Sequence, residues 1–214
     1  MINQEFILLI MNCQKYQWKA DIQKNGWLKS LPADLIYFHV LGDESLATDY
    51  LFDGEARVLW VKTPDDYVSL PKKVITAYKA VSDVYNYKYV FKTDDDQELQ
   101  SPNFFEVIKK LILAKKDAPH YGGFVVNVTT PHVSKYYLLH SELPTNLIIQ
   151  KTKYCSGRFY FLSSFAIQNL LSKKNIISSE CLEDYAVGYY LDEEFKRNML
   201  PIDTNKYFKD LVCK

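Results

Sequence analysis

The sequence predicts an α/β fold: a single domain built on a mainly parallel central sheet flanked by helices. Three observations predict it. Short apolar runs alternate with stretches of helical composition. The 214 residues suit one compact domain with a core of its own. An acidic cluster directly follows one apolar run, and functional loops of such sheets gather at the carboxyl ends of the strands.

The elements read in order. Phe6 to Met11 is wholly apolar and reads as a buried parallel strand. Gln14 to Leu28 has helical composition and stops near Gly26 to Pro32. Leu35 to Leu41 is a second buried strand, closed by Gly42-Asp43, and Arg57 to Val61 a short third. Leu70 to Tyr85 reads as a helix with Pro71 in its first turn. Lys88 to Lys92 is a strand that runs into Asp94, Asp95 and Asp96. Ser101-Pro102-Asn103 opens a helix over Phe104 to Lys116. Phe124 to Val128 is a strand, and Thr129 to Lys153 holds short strands and a loop. Phe159 to Leu162 is a strand, followed by helices over Ser164 to Ser172 and Glu183 to Phe195. The tail from Met199 is ambiguous.

Composition sets limits. Lys+Arg and Asp+Glu are 26 each, so no global field draws the chain to nucleic acid. No stretch approaches a membrane span, and the start lacks the basic region of a signal peptide. Cys13, Cys155, Cys181 and Cys213 have no zinc-like spacing and read as reduced thiols. These features lead us to expect a cytoplasmic protein, or part of a larger one whose anchor lies elsewhere. The 17 tyrosines suit core filling, with sugar stacking as the functional use of a few.

Three segments carry chemistry. Asp94, Asp95 and Asp96 are adjacent carboxylates whose mutual repulsion calls for a cation, hydrogen bonds or solvent. Hard oxygens at a strand end suit Mg²⁺ or Mn²⁺, and a solvated turn is the equally weighted alternative. Glu183-Asp184 at a helix start either caps the helix or supplies a general base. Ser156-Gly157 before an aromatic run reads as an ordinary turn, or as a place where backbone approaches a ligand.

Taken in order, these segments resemble glycosyltransferase family 31, the β-1,3-galactosyltransferase and Fringe-like group. That family carries Y-x-x-K-x-D-D-D, matched by Tyr89 to Asp96. Its upstream D-x-Y-x-N-L-T-x-K is matched in part by Asp65 to Lys73, without the Asn and Thr. Its Y-C-S-G stretch and E-D-V-x-x-G correspond to Tyr154–Ser163 and Glu183–Gly188, with Tyr185 for Val. The compact chain also resembles glycosyltransferase domains of large algal viruses, which would place it in a host cytoplasm.

The resemblance implies a GT-A fold over residues 1–214, with an N-terminal nucleotide-binding part and a C-terminal acceptor-binding part. It implies a UDP-sugar donor, a glycan or other hydroxyl acceptor, Mn²⁺ (or Mg²⁺) and inversion at the anomeric carbon. Asp184 would be the catalytic base, supported by Glu183. Asp96 and Asp94 would hold the metal with Asp95 assisting, and Asp94 would also lie near the ribose or uracil. Met11, Asn12 and Cys13 would border the uracil and Lys73 help hold the donor. Many family members use a late histidine as a metal ligand, but here the last is His140. His39, His120, His132 and His140 have no ligand-like spacing and read first as structural or surface residues, with His132 and His140 as alternative candidates for an acceptor cleft. The rival readings are a non-catalytic sugar-binding domain and a metal-dependent phosphohydrolase. The latter usually carries its aspartate on the first strand, where this chain has Asn12-Cys13.

Overall fold

A computed structural model describes residues 1–211. The central sheet has eight strands: β1 (Phe6–Met11), β2 (Leu35–Gly42), β3 (Tyr50–Asp53), β4 (Val58–Val61), β5 (Tyr89–Asp94), β6 (Tyr121–Val128), β7 (Thr152–Ser163) and β8 (Leu200–Pro201). Their spatial order is β8-β6-β7-β5-β1-β2-β4-β3. The β8/β6, β5/β1, β1/β2 and β2/β4 pairs are parallel, and β6/β7, β7/β5 and β4/β3 are antiparallel. The fold is therefore α/β with a mostly parallel sheet. Its parallel core is where β1 ends in Met11 opposite Asp94 of β5.

Side chains alternate across the sheet and feed two cores. Ile7, Leu9 and Met11 face α2 (Leu70–Val84), together with residues of α4 (Ser164–Leu171) and α5 (Glu183–Tyr190). Phe6, Leu8 and Ile10 face α3 (Phe104–Leu113), whose Phe104, Phe105, Ile108 and Ile112 are buried. Both faces of β1 are covered, which is why its six residues are all apolar.

Several elements differ from the sequence reading. The expected 14–28 helix is a 3₁₀ turn, α1 (Gln17–Asn25) and a second 3₁₀ turn from Trp27, broken around Gly26. The strand expected over 159–162 begins at Thr152, so Ser156-Gly157 is not a turn. Its pairing with β6 shifts register between Cys155 and Tyr160, a bulge that breaks the alternation seen in sequence. The helix expected over 183–195 ends at Tyr190, and Asp192 opens a separate turn of helix. Asn169 and Lys173 bond the Asp192 carboxylate there, a tertiary cause with no local signal. The ambiguous tail adds β8 and a short strand, Phe208–Asp210, antiparallel to Gln97–Leu99.

Cys13, Cys155 and Cys181 are free thiols, and Cys213 lies outside the described residues. Among the described residues no helix is long and apolar enough to cross a membrane.

Candidate active site

A cleft of roughly 640 Å³ opens at the carboxyl ends of β1 and β5. Met11, Asn12, Cys13, Lys73, Asp94, Asp95, Asp96, Glu183 and Asp184 all line it. Residues spread over more than 170 positions of sequence thus converge, because parallel strands end at one edge of the sheet.

The floor is the acidic turn, fixed by its neighbours. Asp95 N–H donates to the Met11 carbonyl at 3.0 Å. Gln23 and Trp27 donate to the Gln97 carbonyl at 2.9 and 3.2 Å. Among the described residues each carboxylate has one hydrogen-bond partner. Asp94 Oδ1 accepts from Lys92 at 2.7 Å, Asp95 Oδ1 from Lys19 at 3.0 Å and Asp96 Oδ1 from Gln97 at 2.7 Å. Burial pushes Asp94 up to about 6 against the pull of Lys92, although 31% of its side chain stays open to the cleft. Burial likewise pushes Asp95 up to about 6 against Lys19. Lys19 carries no signal beyond its charge in sequence, and Lys92 is marked only as the lysine of the Y-x-x-K-x-D-D-D stretch, since its partner Glu183 is distant.

Among the described residues, no three His, Cys, Asp or Glu side chains converge as a ready metal cage. The donor set nevertheless fits a hard divalent cation in part. Asp94 and Asp96 both line the cleft, and each retains a second carboxylate oxygen with no hydrogen-bond donor among the described residues. A cation bound there would need further oxygens from phosphate or water.

The first wall is the loop after β1. Asn12 Oδ1 accepts from the Cys13 amide at 2.7 Å, and the buried Asn12 Nδ2 has no hydrogen-bond partner among the described residues. Lys73, on α2, donates to the Asn12 carbonyl at 2.9 Å and pairs with Asp65. Asp65 also accepts from the Gln14 and Gly42 amides. The Lys73 ammonium is therefore committed to shaping this loop rather than projecting freely into the cleft.

A second side is the start of α5. Leu182 is its N-cap and offers no side-chain bond. Asp184 accepts from its own neighbour's amide, Tyr185, at 2.8 Å and from the Gly157 amide at 3.0 Å. Burial raises its pKa, with Lys92 opposing. Glu183 does not cap the helix. It pairs with Lys92 at 2.9 Å and accepts from the Tyr160 hydroxyl. Tyr160 in turn shares a 2.8 Å hydrogen bond with Tyr78. Burial works against the Lys92 charge, but Asp94 and Glu183 hold its pKa above the usual lysine range.

A third side is aromatic. His140 stacks on Tyr67 with ring centroids 3.7 Å apart, and both line the cleft beside Tyr136. His132 is exposed on a short strand and is not among the cleft residues.

The α/β fold, with an acidic cleft at the carboxyl ends of its parallel strands, is of the GT-A kind. The chain belongs to the Galactosyltransferase family, whose sequence model matches residues 21–195. Human UDP-GalNAc:beta-1,3-N-acetylgalactosaminyltransferase 1 is 25% identical over 194 residues, covering 82% of this chain and 55% of that protein. UDP-GalNAc:beta-1,3-N-acetylgalactosaminyltransferase 2 of Xenopus tropicalis is 23% identical over 134 residues, covering 63% of this chain and 26% of that protein. The chain thus spans about half the length of the human relative. In structure it resembles a glycosyltransferase involved in glycosylation of the major capsid of PBCV-1. The TM-score is 0.52 at 12% identity, covering 94% of this chain and 82% of that one. That likeness concerns the fold alone.

Proposed function

We propose that the chain moves a sugar from a UDP-sugar to a hydroxyl of a glycan or similar acceptor, in a single inverting displacement. One observation carries the reading. Asp184 is held by two backbone amides and lines the same cleft as the acidic turn, so one cleft presents a proton acceptor beside an oxygen-rich cluster.

The residues divide the work. The unpartnered Asn12 amide donor suits a base carbonyl or ribose hydroxyl, and Lys73 holds its loop in place. Asp94 and Asp96 would hold a divalent cation such as Mn²⁺ or Mg²⁺, which when bound neutralises charge on a departing diphosphate. Asp184 takes the proton of the attacking hydroxyl as its oxygen bonds to the anomeric carbon. The bond from that carbon to the diphosphate oxygen breaks, and its electron pair leaves with UDP. A raised carboxyl pKa suits this role, because it brings the base closer to the working pH. Tyr67, Tyr136 and His140 offer flat faces to an acceptor sugar.

The relatives above carry UDP-GalNAc in their names, so it heads the donors to test, followed by UDP-glucose, UDP-galactose and UDP-rhamnose. UDP release from each, with Mn²⁺ and a hydroxyl acceptor, tests the reading. Asp184→Asn should lower release by at least about 100-fold with UDP affinity nearly kept. Release by Asp184→Asn at the wild-type rate would defeat the base assignment. UDP-sugar binding with no release by the wild type would favour an inert binding domain.

A further inference from the structure

We propose that Lys92 is a positioning residue that aims the Asp184 carboxylate by fixing Gly157 and the start of α5. The proposal rests on the reading of Asp184 as the base.

Lys92 is 1% exposed and its ammonium has three protein acceptors. They are Asp94 Oδ1 at 2.7 Å, the Gly157 carbonyl at 2.9 Å and Glu183 Oε2 at 2.9 Å. An ammonium has three N–H donors, so its capacity is matched. Two of these bonds converge on Asp184 by separate routes. Gly157 is gripped at both ends of the residue, its carbonyl by Lys92 and its amide by Asp184. Glycine is the most flexible residue in the chain, so an amide that must point one way needs such a tie. Glu183 is the chain neighbour of Asp184 in the first turn of a helix that lacks a side-chain cap. Holding Glu183 therefore holds that turn. The Tyr160 hydroxyl secures the other Glu183 oxygen, and Tyr78 secures Tyr160.

Stability alone is a poor explanation for this arrangement. A buried ion pair often contributes no more than an apolar replacement of the same volume, whereas removing one partner is costly. Orientation is what an apolar replacement could not supply.

The test is the pair Lys92→Met with Glu183→Gln, which removes both members of the buried Lys92–Glu183 pair; Asp94, partly open to the cleft, loses its Lys92 bond as well, and exchange at the Gly157 amide separates that loss from one at Asp184. Tyr160→Phe is the milder companion, since it removes one bond to Glu183 and keeps the ring. The double variant should melt as a folded protein. Its kcat should fall about 100-fold, with donor KM within about threefold of wild type. Hydrogen exchange at the Gly157 amide should be at least about tenfold faster. Tyr160→Phe should lower kcat about tenfold at unchanged KM, as expected from loss of one positioning bond.

A purely structural pair predicts otherwise: once both of its members are removed, kcat and Gly157 exchange return to wild-type values, and that result overturns the proposal. Should the double variant not fold, Tyr160→Phe decides on the same kinetic split. If the wild type transfers no sugar at all, the base reading fails. Gly157 exchange in the variants still determines whether Lys92 sets this residue.

Discussion

The Gly157 amide donates to Asp184 Oδ2 at 3.0 Å, although 27 residues separate them in sequence. A Cβ at position 157 would lie 3.3 Å from Lys92 Nζ, 3.4 Å from Asp94 Oδ2 and 3.7 Å from Asp184 Oδ2. Those are tight to ordinary contacts, and none involves backbone. Gly157→Ala should therefore fold with a melting temperature within about 4 °C of wild type, consistent with a cost near 1 kcal/mol. An apolar methyl between three charged groups would still shift them apart and lower kcat by about 10- to 100-fold. Circular-dichroism melts and UDP-release rates check both halves. Wild-type turnover would mean that these groups need no close packing.

Gly188 closes the Glu183–Gly188 motif for a packing reason. A Cβ there would lie 2.2 Å from Tyr154 Cβ and 2.6 Å from Tyr154 Cα, so α5 and β7 must separate. Gly188→Ala should cost about 3 kcal/mol, the upper range for overpacking. At this size that is a fall of about 10 °C in melting temperature. The two alanine variants thus predict opposite signatures: one slow and stable, the other unstable. A Gly188→Ala melt matching wild type would show that α5 can move off the strand freely.

How much of this was readable in sequence varies by residue. The Phe6–Met11 strand was legible to its boundaries, because burial on both faces leaves no room for a polar residue. The acidic turn was legible because three carboxylates at a strand end are unusual. Lys92 was visible as the lysine of Y-x-x-K-x-D-D-D, but its burial and pairing were hidden, since a single lysine in an apolar run resembles a solvent-facing position. Its partner Glu183 lies 91 positions away, and no local pattern encodes such a pair. The sequence signal that could have found it was the absence of alternation: Val90 and Phe91 are both core residues, so a lysine beside them required an anion. Strand β7 was half-hidden, because the bulge at Gly157 imitates a turn.

The acidic residues should divide by partner. Asp95 is tied to Lys19, whereas Asp96 lines the cleft with a carboxylate oxygen free of donors among the described residues. Asp96→Asn should weaken UDP binding in Mn²⁺ by at least about tenfold, since removing a ligand should cost no less than disturbing one. Binding measured by calorimetry in EDTA should be unchanged by the substitution. Equal losses with and without the ion would remove Asp96 from a metal role.

His39 should make the fold acid-sensitive. It is 1% exposed on β2, and neither ring nitrogen has a hydrogen-bond partner among the described residues. Burial, aided by the Lys24 charge, lowers its pKa to about 3. The folded state therefore resists protonation that the unfolded state accepts near 6.5. A lowered histidine pKa gives stability that is full above 6.5 and lost as pH falls toward 3. Asp94 and Asp95 run the other way. Their raised values, about 6, give stability that is full below the ordinary carboxylate range and lost as pH rises through 6. The wild-type curve mixes both trends, so a difference curve is needed. His39→Leu removes one titration and leaves the carboxylates in place. Between pH 7.5 and pH 5, wild type should lose about 2 kcal/mol relative to the variant, at about 1.4 kcal/mol per unit below 6.5. Urea unfolding at several pH values measures this directly. Parallel curves for the two proteins would mean that the buried imidazole finds a proton acceptor in the folded state.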